Sequence, residues 1–145
     1  MKMSKLILLV PLLFVYFSPA QNPAPGFPQI SFCDLPKYNG QVVRITCTYS
    51  GEDSYWGIGA LQDEKCLQNP AIELNLSEVS NSLSKKNRKL LDKAHEKYWL
   101  YYLIITTTGR YESSVLEKNN NPNSNSNQFI VKDIEEIRLV ERTGK

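Results

Sequence analysis

The stretch Gln41-Val42-Val43-Arg44-Ile45-Thr46-Cys47-Thr48-Tyr49 decides the fold. Val43, Ile45, Cys47 and Tyr49 alternate with Val42, Arg44, Thr46 and Thr48, the two-residue period of a strand with one face turned to a core. Tyr38-Asn39-Gly40 supplies a tight turn before it. The polar cluster Ser50 to Ser54 follows and leads into Tyr55 to Leu61, a second strand with glycines where a barrel bends. Ala71 to Leu76 reads as a short third strand. Between Leu83 and Tyr98 the period changes: Leu83, Leu90, Leu91, Ala94 and Tyr98 share one face at helical spacing. Trp99 to Thr108 is β-branched and aromatic, apolar on both faces, and predicts a fourth strand that Gly109-Arg110-Tyr111 bends or extends. Phe129 to Val140 predicts a fifth, with a bulge near Lys132-Asp133 where the apolar spacing slips. The order strand, strand, strand, helix, strand, strand is that of a mainly β, five-stranded OB-like Greek-key barrel with one helix between strands 3 and 4. Another small barrel or an α+β sheet is the rival arrangement.

Outside this domain, expected to run from residue 31 to 142, the chain changes character. Met1 to Lys5 is cationic, Leu6 to Phe17 is apolar apart from Pro11, and Ser18-Pro19-Ala20 offers small residues for cleavage. This predicts a secretory signal peptide over residues 1–20, since a spanning helix needs about 20 apolar residues. Residues 21–30 form a proline-rich extended leader. Removing Lys2 and Lys5 with the signal leaves 15 basic against 15 acidic residues, so no global field draws in nucleic acid or an anionic membrane. Lys118 to Gln128 reads KNNNPNSNSNQ, a polar segment expected to be a dispensable, disordered loop.

Export makes disulfides permissible, and the three cysteines allow three single pairings. Cys47 lies in the core-facing row of the first strand and reads as a small buried hydrophobe. Cys33 and Cys66 lie outside the strands, which makes their bridge the expected one. Ser31-Phe32-Cys33-Asp34-Leu35, then Tyr38-Asn39-Gly40-Gln41-Val42-Val43-Arg44-Ile45, then Leu61, Cys66 and Ile72-Glu73-Leu74 together resemble a group of small exported bacterial proteins of uncharacterised function. In that group a cysteine precedes a Y-x-G-x-x-V-x-V strand and a second cysteine follows the next hairpin. The resemblance covers residues 31 to about 75. It implies an OB-like barrel, supports the Cys33–Cys66 pairing and carries over no catalytic residue; Cys47 departs from the glycine more usual there.

Catalytic constellations are sparse. A single histidine, His95, and no Cys-x-x-Cys pair leave a metal site without ligands, and no cofactor is expected. His95-Glu96 starts like a metalloprotease motif, but Trp99 stands where the second histidine belongs. There is no Gly-x-Ser-x-Gly elbow, and Gly57-Ile58-Gly59-Ala60 lacks the third glycine of a dinucleotide loop. The carboxylate pairs Asp63-Glu64 and Glu135-Glu136 are adjacent residues that diverge on extended chain. Two features suit binding. Tyr55, Trp56, Arg110 and Tyr111 are aromatic and cationic residues flanked by turns, the chemistry with which OB barrels hold polymers. Lys85, Lys86, Arg88, Lys89, Lys93 and Lys97 outnumber Asp92 and Glu96 on the helix, a face for an anionic glycan, lipid headgroup or acidic partner. The expectation is a secreted or periplasmic, non-enzymatic module that binds an extracellular polymer, surface component or protein, with no transmembrane span in the mature chain. A secreted hydrolase and an accessory subunit pairing through a sheet edge are the alternatives.

Overall fold

The computed structural model describes residues 26–53, 55–67, 71–113 and 127–143. The expected signal 1–20, the leader residues 21–25 and the polar stretch 118–126 lie outside them. A 3-10 helix, Phe32–Tyr38, precedes β1 (Val42–Glu52), β2 (Tyr55–Gly59), β3 (Ile72–Asn75), α1 (Lys85–Glu96), β4 (Tyr101–Glu112) and β5 (Asn127–Glu141). The strands close into a barrel in the order β1-β2-β3-β5-β4. β3 and β5 run parallel and the other neighbours antiparallel, so the expected OB-like barrel with its helix between β3 and β4 is the fold.

Closure rests on β1, which is long enough to serve two partners. Val42 to Tyr49 pairs with β4, and Thr48 to Glu52 pairs with β2. The first half of β1 therefore has an edge that β2 never reaches, and an uncovered edge is a template for unwanted pairing. The end of the leader covers it: Arg44 N–H donates to the Pro28 carbonyl at 2.9 Å, and Ile30 N–H to the Arg44 carbonyl at 3.0 Å. Residues 28–30 thus belong to the barrel wall, where the sequence reading left them outside it. At the other end Asp53 takes φ 50°, which Asp tolerates, and the turn into β2 is shorter than the polar cluster suggested. Gly51 is required there, because a Cβ would collide with the Tyr55 carbonyl and the Trp56 ring.

β4 continues through Gly109 to Glu112, so Gly109-Arg110-Tyr111 extends the strand. The reason is packing: a Cβ at Gly109 would strike the Ile130 carbonyl and the Phe129 ring, so glycine lets β5 lie close. β5 carries two bulges against β4. Thr108 pairs with Asp133 and Gly109 with Val131, which leaves Lys132 over, as the slipped spacing predicted. Thr106 pairs with Glu136 and Thr107 with Ile134, which leaves Glu135 over, a second bulge not foreseen. Each extra residue changes what its neighbours face. Buried Thr107 donates from its Oγ1 to the Asp133 carbonyl at 2.6 Å, and Glu135 is aimed across β4 at Arg44, which grips it through Nε at 2.7 Å and Nη2 at 2.6 Å. Arg44 also donates to the Gln29 side chain, so this pair ties β5 and the leader to β1. Asn127 and Gln128 are not loop: they pair with Ile72 and Glu73, because β3 has no other partner along that edge.

The core runs from the 3-10 helix at one end, through Phe32 and Leu35, to α1 at the other, through Leu91 and Ala94. α1 begins after Ser84, whose Oγ accepts from Asn87 N–H at 3.1 Å, two residues later than the apolar spacing suggested. It ends at Glu96, and Lys97 to Leu100 form a turn, which is why β4 starts at Tyr101 and not at Trp99. Trp56 closes this end, its ring 5.0 Å from Tyr49 and 4.2 Å from His95 between centroids. The Tyr49 hydroxyl lies 3.2 Å from His95 Nε2. Burial, with Glu73 adding, pushes the Tyr49 hydroxyl up to about 12, so it stays protonated. Burial also holds His95 below its ordinary 6.5, against the opposing pull of Asp92. The fold therefore keeps His95 neutral while the unfolded chain takes up the proton first. This contribution to stability is full above about pH 6.5 and is lost as pH falls through that value toward the depressed folded one. The melting temperature should accordingly drop between about pH 7 and pH 5, where carboxylates remain ionised, and His95→Gln should flatten that segment of the profile.

Candidate functional site

The four aromatic and cationic candidates do not converge. Tyr55 pairs with Glu52 and Arg110 with Val42, so they stand at opposite ends of β1. Tyr55 is 84% exposed, whereas Trp56 turns under the barrel against His95, and its indole N–H donates to the Asp53 carbonyl at 3.3 Å. Arg110 is held by Glu112 at 2.8 Å. Tyr111 is 2% exposed because the odd-numbered positions of β4 face inward, so it packs in the core and offers no ligand surface. The basic helix residues do lie together. Lys85, Lys86, Arg88, Lys89, Lys93 and Lys97 are all exposed, with Arg88 spending one donor on the Ser80 carbonyl at 3.0 Å.

A different arrangement forms a groove of about 320 Å³ on the outer face of the barrel. Its floor is one cross-strand row: Thr48 on β1 is opposite Ile104 on β4, which is opposite Arg138 on β5. Tyr102 stands one outward position along. The overhanging wall is the turn Leu61-Gln62-Asp63 that follows β2. This turn is fixed from three sides. Thr48 Oγ1 donates to the Ala60 carbonyl at 3.3 Å. Glu64 accepts from Ser31 Oγ at 2.8 Å and from Leu61 N–H at 3.3 Å. The Cys33–Cys66 disulfide then joins the far side of the turn to the 3-10 helix.

The divergence expected of the adjacent carboxylates is what builds the groove. Glu64 turns back to Ser31 and Asp63 turns to the groove. Glu135 is held by Arg44, whose guanidinium keeps it below the usual carboxylate range, while Glu136 lies 3.5 Å from Arg138. Asp63 and Arg138 share the groove without an ion pair between them, which leaves an acceptor and a donor facing the same space. Tyr102 supplies an aromatic side chain, with the Arg142 guanidinium 5.8 Å from its ring centre. The sequence places Tyr102 in the fourth strand and Asp63 in a carboxylate pair but does not bring them together, because a groove formed by a turn folding over three strands has no linear spacing. One signal was present: β4 is apolar on its outer positions too, and an outward Ile104 beside Tyr102 implies a covered or occupied face.

The bridge and the free thiol stand as expected. Cys47 is buried in the core, and burial, with Glu64 adding, pushes its thiol up to about 12, so it is inert. Among the described residues no three His, Cys, Asp or Glu side chains gather to hold a metal ion, and no helix is long and apolar enough to cross a membrane. Compared with protein-family models, with curated proteins and with solved structures, the chain matches none.

The turn that walls the groove is held by the bridge and Glu64, and the strands beneath it are held by their ladders. Replacing both Cys33 and Cys66 by serine should lower stability by about 3–4 kcal/mol on the chain-entropy model. Amide exchange should rise first across residues 60–66 and leave β1 and β4 protected; uniform exchange across the barrel would show that the bridge serves global closure instead.

Proposed function

We propose that this chain is an exported binding module whose groove under the 61–63 turn takes a polyhydroxylated ligand, such as a stretch of an extracellular glycan. The observation that carries the reading is the juxtaposition of Asp63 and Arg138, not bonded to each other, beside Tyr102 and Ile104, with Arg138 engaging Glu136 through Nε alone. A sugar ring presents hydroxyls at its edge, each able to donate and to accept, and C–H groups on its faces. Gln62 and Asp63 offer acceptors, Arg138 offers donors, and Tyr102 with Ile104 offers an apolar floor, a combination of few polar groups on an apolar surface that is usual for ligand sites of this size. The intact Cys33–Cys66 bridge accords with an oxidising compartment, and the signal-like residues 1–20 supply the route. Membership in the group of small exported bacterial proteins that the 31–75 stretch resembles belongs to the same reading.

A glycan array probed with residues 21–145, followed by titration of the best hit, tests this. Asp63→Asn and Arg138→Gln should each weaken binding about tenfold or more, as expected for hydrogen bonds to charged groups, with the melting temperature unchanged. Turnover of the bound glycan, lost in Asp63→Asn, would favour the hydrolase reading. Stable association with a protein from the secreting cell, insensitive to both substitutions, would favour pairing through a sheet edge.

A further inference from the structure

The basic side of α1 is not spread around the helix. At about 100° per residue, Lys85, Lys86, Lys89, Lys93 and Lys97 fall within an arc of about 120°, with Glu96 the one acid inside it and Asp92 just outside. All five lysines are exposed, and none takes part in an ion pair among the described residues. Because the chain after residue 20 is balanced in charge, this stripe is a local field and not a sample of a general excess.

The stripe ends on an apolar tip. The turn after α1 leaves Trp99 59% and Leu100 39% exposed among the described residues, and both are large apolar side chains. The Trp99 ring is braced edge-on by Tyr98, with centroids 5.1 Å apart. Cations surround the turn. Lys93 Nζ lies 4.8 Å from the centre of the Tyr101 ring. Arg142 Nε donates to the Tyr98 carbonyl at 3.0 Å and to the Tyr101 carbonyl at 3.4 Å. Lys97 starts the turn, accepting at its carbonyl from Leu100 and Tyr101 N–H. The acids flanking the turn are Glu141, opposite Tyr101, and Glu96, the last residue of α1.

From this juxtaposition of an unpaired lysine stripe with a protruding tryptophan and leucine, we infer that the C-terminal end of α1 docks on an anionic lipid bilayer. Charge complementarity selects an anionic surface, and the apolar tip selects among anionic surfaces. A nucleic acid or an acidic glycan would satisfy the lysines and leave Leu100 in water. A bilayer interface accommodates an indole at headgroup depth and an aliphatic chain just below it, while lysine stems lie along the apolar boundary with their ammonium groups among the phosphates. The surface uses none of the groove residues Gln62, Asp63 and Arg138, so it stands apart from the glycan reading.

The test is co-sedimentation of residues 21–145, which include the whole described barrel, with vesicles of phosphatidylcholine alone and of equal parts phosphatidylcholine and phosphatidylglycerol. Binding is expected to the anionic vesicles, to weaken as salt is raised, and to shift tryptophan emission to the blue. Trp99→Phe should abolish that shift, since Trp56, the other of the two tryptophans, is half-buried against Tyr49 and His95. Replacing Lys89, Lys93 and Lys97 together by glutamine should reduce partitioning about a hundredfold, near fivefold for each charge, and replacing them by arginine should preserve it. Equal binding to both vesicle types, indifference to the glutamine variant, or capture by heparin with no binding to vesicles would each overturn the inference.

Discussion

The barrel depends on β1 forming backbone hydrogen bonds along both edges. A strand of 11 residues is asked to hold β4 with its first eight and β2 with its last five, sharing Thr48 and Tyr49 between the two. This overlap sets the curvature that lets five strands meet, and it explains why β2 and β3 can be so short. It also leaves an edge beside Arg44 that has to be covered locally. The leader at Pro28 to Ile30 covers that edge, and Arg44, which donates to the Gln29 side chain there, also grips Glu135 from across β4, a residue that a bulge releases from the β4 register.

The same economy links the staple to the groove. A disulfide between Cys33 and Cys66 pins a turn that would otherwise hang from the end of β2, and the pinned turn becomes the wall of a cavity. Glu64 works in the same direction by accepting from Ser31 across the same gap. Rigidity at the groove therefore arises from the segment that enters the domain, not from the strands beneath it. A ligand meeting a wall already held in place loses less affinity to the ordering of side chains.

Much of this was legible because period and burial are local properties. The alternation from Val43 to Tyr49 gave the strand, its core face and the buried Cys47; the lysine-rich helix and the slipped spacing at Lys132 were equally readable. What failed depends on register. Whether Tyr111 points in or out is fixed by how far β4 continues past Gly109, and that is decided by the Phe129 ring on another strand. Trp56 read as a surface platform because turns flank it, yet α1 folds beneath it and supplies His95 as a neighbour. The groove joins residues 48, 62, 102 and 138, and no window of sequence contains them together. The Asn127–Gln128 boundary was missed because polar composition outweighed the pairing demand of β3.

The position of Cys47 has a consequence for the order in which the chain matures. Cys47 lies between the two bridging cysteines in sequence, so in an unstructured chain either of them would encounter it across a shorter loop than the native one, and shorter loops close more readily. Nothing in the covalent chemistry distinguishes the three thiols at that stage. Pairing of β1 with β4 does distinguish them, because it withdraws Cys47 into the core and suppresses its thiolate. Oxidation is then directed by conformation: assembly of β1 with β4 withdraws the competing thiol and favours the bridge between Cys33 and Cys66.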